Sequence, residues 1–258
     1  GPDLPTVVGS GGGAITHQGK IYVIGGHLDG LADPYLDLVH EFDPIANSWS
    51  QKNSMPTARY LHKLVISGDK IWAIGGYNHL IGSELSKVEV YDPVADSWAT
   101  GPSLSIARGG PSAWVTNGKI FMAGGHDGSS YLNSIEVFDP TTNQWSAAGS
   151  LPEAKYSGDA AILNGKVYVV AGNNGSAVSN KVYAADVTPP MDLYFRDANA
   201  SGTVTLDKFA GAVVSKLDGN ASAEAPIGAV TAIDHHDAPP TDHAVLERTD
   251  PDATHVWE

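Results

Sequence analysis

The stretch KIYVIGGHLDG at residues 20–30 decides the reading of this chain, because the chain writes it four times. KIWAIGGYNHL (70–80), KIFMAGGHDGS (119–129) and KVYVVAGNNGS (166–176) keep its order of lysine, apolar β-formers and a pair of small residues. The opening lysines are Lys20, Lys70, Lys119 and Lys166, so the steps are 50, 49 and 47 residues. Self-similarity at that period marks an architecture of repeated units. Each run, such as Ile21-Tyr22-Val23-Ile24, is short and apolar, which reads as a buried strand. The glycine pair ends the strand and frees the backbone for a tight, close-packed exit.

A second phrase recurs in step with the first. HEFDPIANSW (40–49), EVYDPVADSW (89–98) and EVFDPTTNQW (136–145) place Asp43, Asp92 and Asp139 six residues before Trp49, Trp98 and Trp145. Asp-Pro opens a turn, since proline presets φ and the aspartate can bond the backbone two residues on. The aromatic before the turn and the tryptophan after it then lie on paired strands. Their recurrence at one point of every unit reads as packing between units.

Together these motifs resemble the kelch repeat over residues 10–187: an apolar strand, Gly-Gly, a variable loop, an aromatic with Asp-Pro, then tryptophan. The resemblance implies an all-β protein, a kelch-type β-propeller, whose blades have four antiparallel strands lettered a to d from the axis outward. Four blade units fall near 10–50, 57–99, 106–146 and 156–187. The fourth departs from the pattern, with Ala171-Gly172 for Gly-Gly and no tryptophan six residues after Asp186.

The 258 residues hold 29 glycines, which suits a turn-rich all-β chain. No run approaches the roughly 18 apolar residues of a membrane-spanning helix. There is no cysteine, which excludes disulfides, zinc thiolates and a cysteine nucleophile. The net charge of −14 and the lack of a basic stripe argue against a nucleic-acid partner. Residues 1–188 hold 17 acidic and 11 basic residues, and residues 189–258 hold 12 and 4. The change coincides with Pro189-Pro190 and places a boundary near 188.

Beyond that boundary, residues 189–242 read as an irregular acidic insertion. TLDKFAGAVVSKL has apolar residues at helical spacing and predicts one short helix over 205–217. DANASGTVTLDK (197–208) has the outline of a calcium loop, but Lys208 stands where a bidentate glutamate is needed. The cluster Asp234, His235, His236, Asp237, Asp242 and His243 has no recognised zinc spacing and reads as solvated linker. No metal or cofactor is expected. The closing stretch HAVLERTDPDATHVWE (243–258) repeats the Asp-Pro phrase and is expected to form a strand pair closing the propeller with the N-terminus. Residues 189–258 therefore read either as a fifth irregular blade or as a C-terminal extension. The same terminal pairing between chains would give a homo-oligomer or filament.

In kelch proteins the loops joining strands b to c and d to a line one face that often binds a partner. Carried onto this chain, the b–c loops begin at His27, Tyr77, His126 and Asn173, and they also hold Asp29, Asn78, Asp127 and Tyr131. The d–a turns LPTVV, MPTAR, SLSIAR and LPEAK place Arg59, Arg108 and Lys155 at matching positions, with Val8 or a neighbour in the first. Kelch pockets for acidic peptides or sugars use arginines near this point. The expectation is therefore that these three cations converge on one mouth as a carboxylate clamp. The competing reading has each cation capping a carbonyl or pairing with an acid between blades. The strong repeat beside absent catalytic motifs points to a non-catalytic module for protein or glycan interaction, expected in an extracellular or cell-surface, bacterial setting. A structural subunit assembling by strand exchange is the first alternative, and a sugar mutarotase-like enzyme the second. No Ser-His-Asp order, phosphate loop or His-Glu zinc motif appears.

Overall fold

The computed structural model describes residues 1–8, 11–28 and 35–187, and the strand backbone of Arg196–Asp197, Val230–Ile233 and Val245–Arg248. The chain divides into two compact units, Gly1–Thr188 with Leu193–Asn199, and Pro189–Asp192 with Ala200–Glu258.

The first unit holds four four-stranded antiparallel sheets in a propeller arrangement. Blade 1 is β1 (Gly13–His17), β2 (Lys20–His27), β3 (Tyr35–Asp43) and β4 (Ser48–Lys52). Blade 2 is β5 (Lys63–Ser67), β6 (Lys70–Ile74), β9 (Val88–Asp92) and β10 (Ser97–Thr100), with a small ribbon of β7 (Tyr77–Asn78) and β8 (Ser83–Glu84) in its b–c loop. Blade 3 is β11 (Ser112–Thr116), β12 (Lys119–Ala123), β13 (Ser134–Asp139) and β14 (Gln144–Ser150). Blade 4 is β15 (Asp159–Leu163), β16 (Lys166–Val170), β17 (Tyr183–Asp186) and β18 (Arg196–Asp197). Neighbouring blades meet through their first strands, β1 beside β5, β5 beside β11, and β11 beside β15.

The opening lysine of each repeat is explained by its partner. Lys20 lies 3.7 Å from Asp43, Lys119 2.8 Å from Asp139 and Lys166 3.0 Å from Asp186, and Lys70 pairs with Asp92. One lysine thus ties the start of strand b to the end of strand c in each blade. Asp43 Oδ1 also accepts the N–H groups of Ile45 and Ala46, and Asp92 Oδ1 those of Val94 and Ala95. These bonds close the Asp-Pro turn, and Asn47, Asp96 and Asn143 carry its left-handed position at φ 51°, 46° and 56°.

The core lies between blades. Tyr22, Ile24 and Val39 of blade 1 pack on Ile71, Ala73 and Tyr91 of blade 2. Val65, Ile74 and Val88 of blade 2 pack on Ile120, Met122 and Phe138 of blade 3. Each tryptophan packs tilted against the aromatic before its own turn, with ring centroids 5.0 Å apart for Phe42–Trp49 and Tyr91–Trp98 and 5.4 Å for Phe138–Trp145. Each indole also donates to the linker upstream of its blade: Trp49 to Pro2 O at 3.1 Å, Trp98 to Asn53 O at 2.9 Å and Trp145 to Pro102 O at 2.8 Å. The side chains are half-buried; all three fasten linkers, and Trp98 and Trp145 also pack on the cores between blades.

In the second unit Val230–Ile233 pairs antiparallel with Val245–Arg248. The rest of the expected closing segment 243–258, the helix expected over 205–217, the calcium-loop outline from Ala198 and the histidine–aspartate cluster 234–243 lie outside the described residues. Among the described residues no helix is long and apolar enough to cross a membrane.

Candidate functional site

The d–a turn after each of blades 1 to 3 is built alike. The second glycine of the preceding blade donates to the carbonyl of the cationic residue: Gly26 N to Arg59 O at 2.9 Å, Gly76 N to Arg108 O at 2.7 Å, Gly125 N to Lys155 O at 2.7 Å. The first glycine must lack a side chain. A Cβ on Gly25, Gly75 or Gly124 would stand 2.7, 2.5 or 2.2 Å from that same carbonyl oxygen, and all three residues have left-handed backbone. This is what the glycine pair in the repeat is for.

The cationic side chains then reach into the following blade. Arg59 Nη1 donates to Gly75 O and Lys87 O at 2.9 and 3.0 Å, and Nη2 meets Glu89 Oε2 at 2.6 Å. Arg108 repeats this with Gly124 O and Ser134 O at 2.8 and 2.9 Å, and with Glu136 Oε1 at 2.9 Å. Lys155 bonds Ser179 Oγ and Lys181 O at 2.8 and 3.2 Å, lies 3.4 Å from Glu153, and sits 5.1 Å over the Tyr183 ring. All three residues are 0% exposed. Burial pushes the Arg59 and Arg108 guanidinium groups below their ordinary range, opposed by the facing glutamates. The expected carboxylate clamp is thereby corrected: the cations are spent inside the fold, each joining one blade to the next.

Their partners occupy one column of the repeat. Glu89, Glu136 and Tyr183 take equivalent places, opposite Ala73, Met122 and Val169, and blade 1 has His40 there, opposite Val23. Where Val8 replaces the arginine, the glutamate is replaced as well. His40 is 1% exposed, and burial holds it toward the neutral form.

The loop face is left to other residues. His27 and Tyr77 flank Tyr60, with ring centroids 5.4 and 5.7 Å from it. His126, Tyr131 and Tyr156 form a second group, at 5.0, 5.8 and 6.1 Å. Backbone bridges Tyr60–Tyr77, Gly109–His126 and Tyr156–Asn173 set these side chains at the loop end of strands a and b. Tyr131 is 40% exposed. Tyr60 and Tyr156 were not read from the sequence, although each directly follows a cation of the aligned turns.

The polar loop residues mostly build the loops. Asn78 is buried, giving its amide to Ala58 O at 2.6 Å and accepting Ile81 N at 3.0 Å, so it belongs to the scaffold and not to the face. Asp127 Oδ1 accepts Ser129 N and Ser130 N, bonds that hold its carboxyl below the usual range. Asn173 Oδ1 accepts Gly175 N at 2.7 Å. Asp29 lies outside the described residues. Lys63 at the head of β5 reaches Asp159 at the head of β15, 2.9 Å away, an ion pair from blade 2 to blade 4. Among the described residues no three histidine, aspartate or glutamate side chains gather as metal ligands.

Comparison with known proteins agrees with this repeat geometry. The family model for the KLHDC2/KLHL20/DRC7 Kelch-repeats domain matches residues 11–190. F-box/kelch-repeat protein At4g19870 of Arabidopsis thaliana is 39% identical over 71 residues, 28% of this chain, and the match spans only 17% of that protein. The solved structure of YjhT superposes over 79% of this chain and 68% of its own, with TM-score 0.65 and 17% identity, a likeness of fold. With the same buried junction built three times and a family match over most of its length, this chain belongs to the kelch-repeat family.

Proposed function

We propose that the four-blade unit is a non-catalytic interaction module that engages a protein partner through the face formed by its b–c loops and d–a turns. One observation carries the reading. The repeat residues are consumed by blade junctions, whereas the loop face carries two groups of tyrosine and histidine rings with Tyr131 40% exposed. Aromatic side chains give large contact area at low entropic cost and are enriched where proteins meet. The family match supports an interaction role of this general kind.

Tyr131→Ala and Tyr77→Ala test the reading. A binding partner identified with the unaltered chain should be lost or weakened at least tenfold by these changes, with the melting temperature little altered. A partner held equally by both variants would remove the loop face from consideration. A glycan ligand is the second form of the same reading, favoured by the exposed tyrosine ring; a glycan array on the same variants separates it from a protein.

A further inference from the structure

Blade 3 breaks the pattern of the loop face at one point. The residue after the turn cation is Tyr60 in blade 2 and Tyr156 in blade 4, but Gly109 in blade 3. The vacated place is taken by Glu84 from blade 2, whose Cγ lies 3.2 Å from where a Cβ on Gly109 would stand. A carboxylate thus stands between the two ring groups. Glu84 is the direct cross-strand partner of Tyr77 on one side. On the other its Oε1 lies 3.0 Å from His126 Nδ1, and His126 packs on Tyr131 and Tyr156.

That histidine contact supplies a counter-charge only when the ring is protonated. His126 Nδ1 also accepts the Gly128 N–H at 3.0 Å. One ring nitrogen cannot accept from Gly128 and donate to Glu84 at once. With the Gly128 bond made by the neutral ring, two acceptors face each other at 3.0 Å, an arrangement that a cation relieves. Arg59 and Arg108 of the turns on either side are 0% exposed and paired with Glu89 and Glu136, and Lys87 is held by Glu89 at 2.9 Å.

We infer that the Glu84 position, with Tyr77 on one side and His126 and Tyr131 on the other, receives a lysine or arginine side chain of a basic peptide segment in the partner. The inference rests on the loop-face reading and names the chemistry of the partner that the reading leaves open. It is the reverse of the carboxylate clamp expected for the turn cations. A carboxylate with tyrosine and histidine side chains close by suits an ammonium or guanidinium, through charge-assisted hydrogen bonding and attraction to the ring quadrupole. The net charge of −14 adds a long-range pull of the same sign.

Selection of a random twelve-residue peptide display library on the full chain tests this. Selected peptides are re-measured on Glu84→Gln, on Tyr131→Ala, and on Asp69→Asn, which removes one equal charge from an a–b hairpin. The expected result is enrichment of lysine and arginine, with binding weakened tenfold or more by Glu84→Gln and left within twofold by Asp69→Asn. Cationic peptides weakened equally by both charge changes would reveal unspecific attraction and overturn the inference. Peptides without cations that still need Tyr131 would overturn the cation site and leave the loop-face reading standing. Peptides indifferent to Tyr131, or no selected peptide at all, would overturn both.

Discussion

Arg108 Nη2 lies 2.9 Å from Glu136 Oε1, with the arginine side chain 0% and the glutamate side chain 4% exposed. The pair sits at the junction of blades 2 and 3, and the arginine bonds two carbonyls of blade 3 as well. Removing one member leaves a desolvated charge behind. Arg108→Ala should cost about 3–5 kcal/mol, read as a lower denaturation midpoint. Glu136→Gln should also destabilise, because it leaves the guanidinium without its counter-charge. A midpoint unchanged in both would mean that the cation is not a junction element.

The glycine pair gives an asymmetric expectation. Gly124→Ala would drive a Cβ to 2.2 Å from Lys155 O at φ 68°, and should destabilise by at least about 2 kcal/mol through steric overlap and left-handed strain. Ala171 stands at the same position of blade 4 with φ 57°, and is exposed. Ala171→Gly should therefore change stability by no more than about 1 kcal/mol. Thermal unfolding of the two variants beside the parent checks both values. Ala171 also carries a methyl group where the other blades receive the carbonyl of the next turn.

Buried histidine sets the acid side of the stability profile. His62, beside Arg59 and Lys63, is held neutral, burial pushing it down to about 3 with the two cations adding to the shift. The unfolded chain binds that proton near pH 6.5, so the unfolded state takes up more protons below this pH. His62 thus favours folding fully above about pH 6.5, and this contribution drains away as pH falls toward 3. The melting temperature of the parent should fall more steeply between pH 6.5 and 4 than that of His62→Gln. Parallel curves would show that His62 titrates normally in the folded chain.

The repeat and its turns were legible because they rest on contacts within one blade. Lys20 and Asp43, or Asp92 and the N–H groups two and three residues on, meet whatever the neighbouring blades do. The role of Arg59, Arg108 and Lys155 was not legible in the turn alone, since a matching position does not say whether a side chain faces the mouth or turns back. The signal lay 28 to 32 residues downstream, where Glu89 and Glu136 accompany arginine, Tyr183 accompanies lysine and His40 accompanies Val8. A single column reads as a binding clamp; the paired columns read as a junction. Glu84 was missed for a similar reason, because its place is defined by Gly109 of the next blade.

Amide hydrogen exchange of the full chain, with and without a selected peptide at saturation, tests the loop-face reading most directly. The account expects new protection at residues 77–85 and 126–131, and no change around Trp49, Trp98 and Trp145 at the outer strands. Protection confined to those outer strands, with the loop face unaltered, would contradict it.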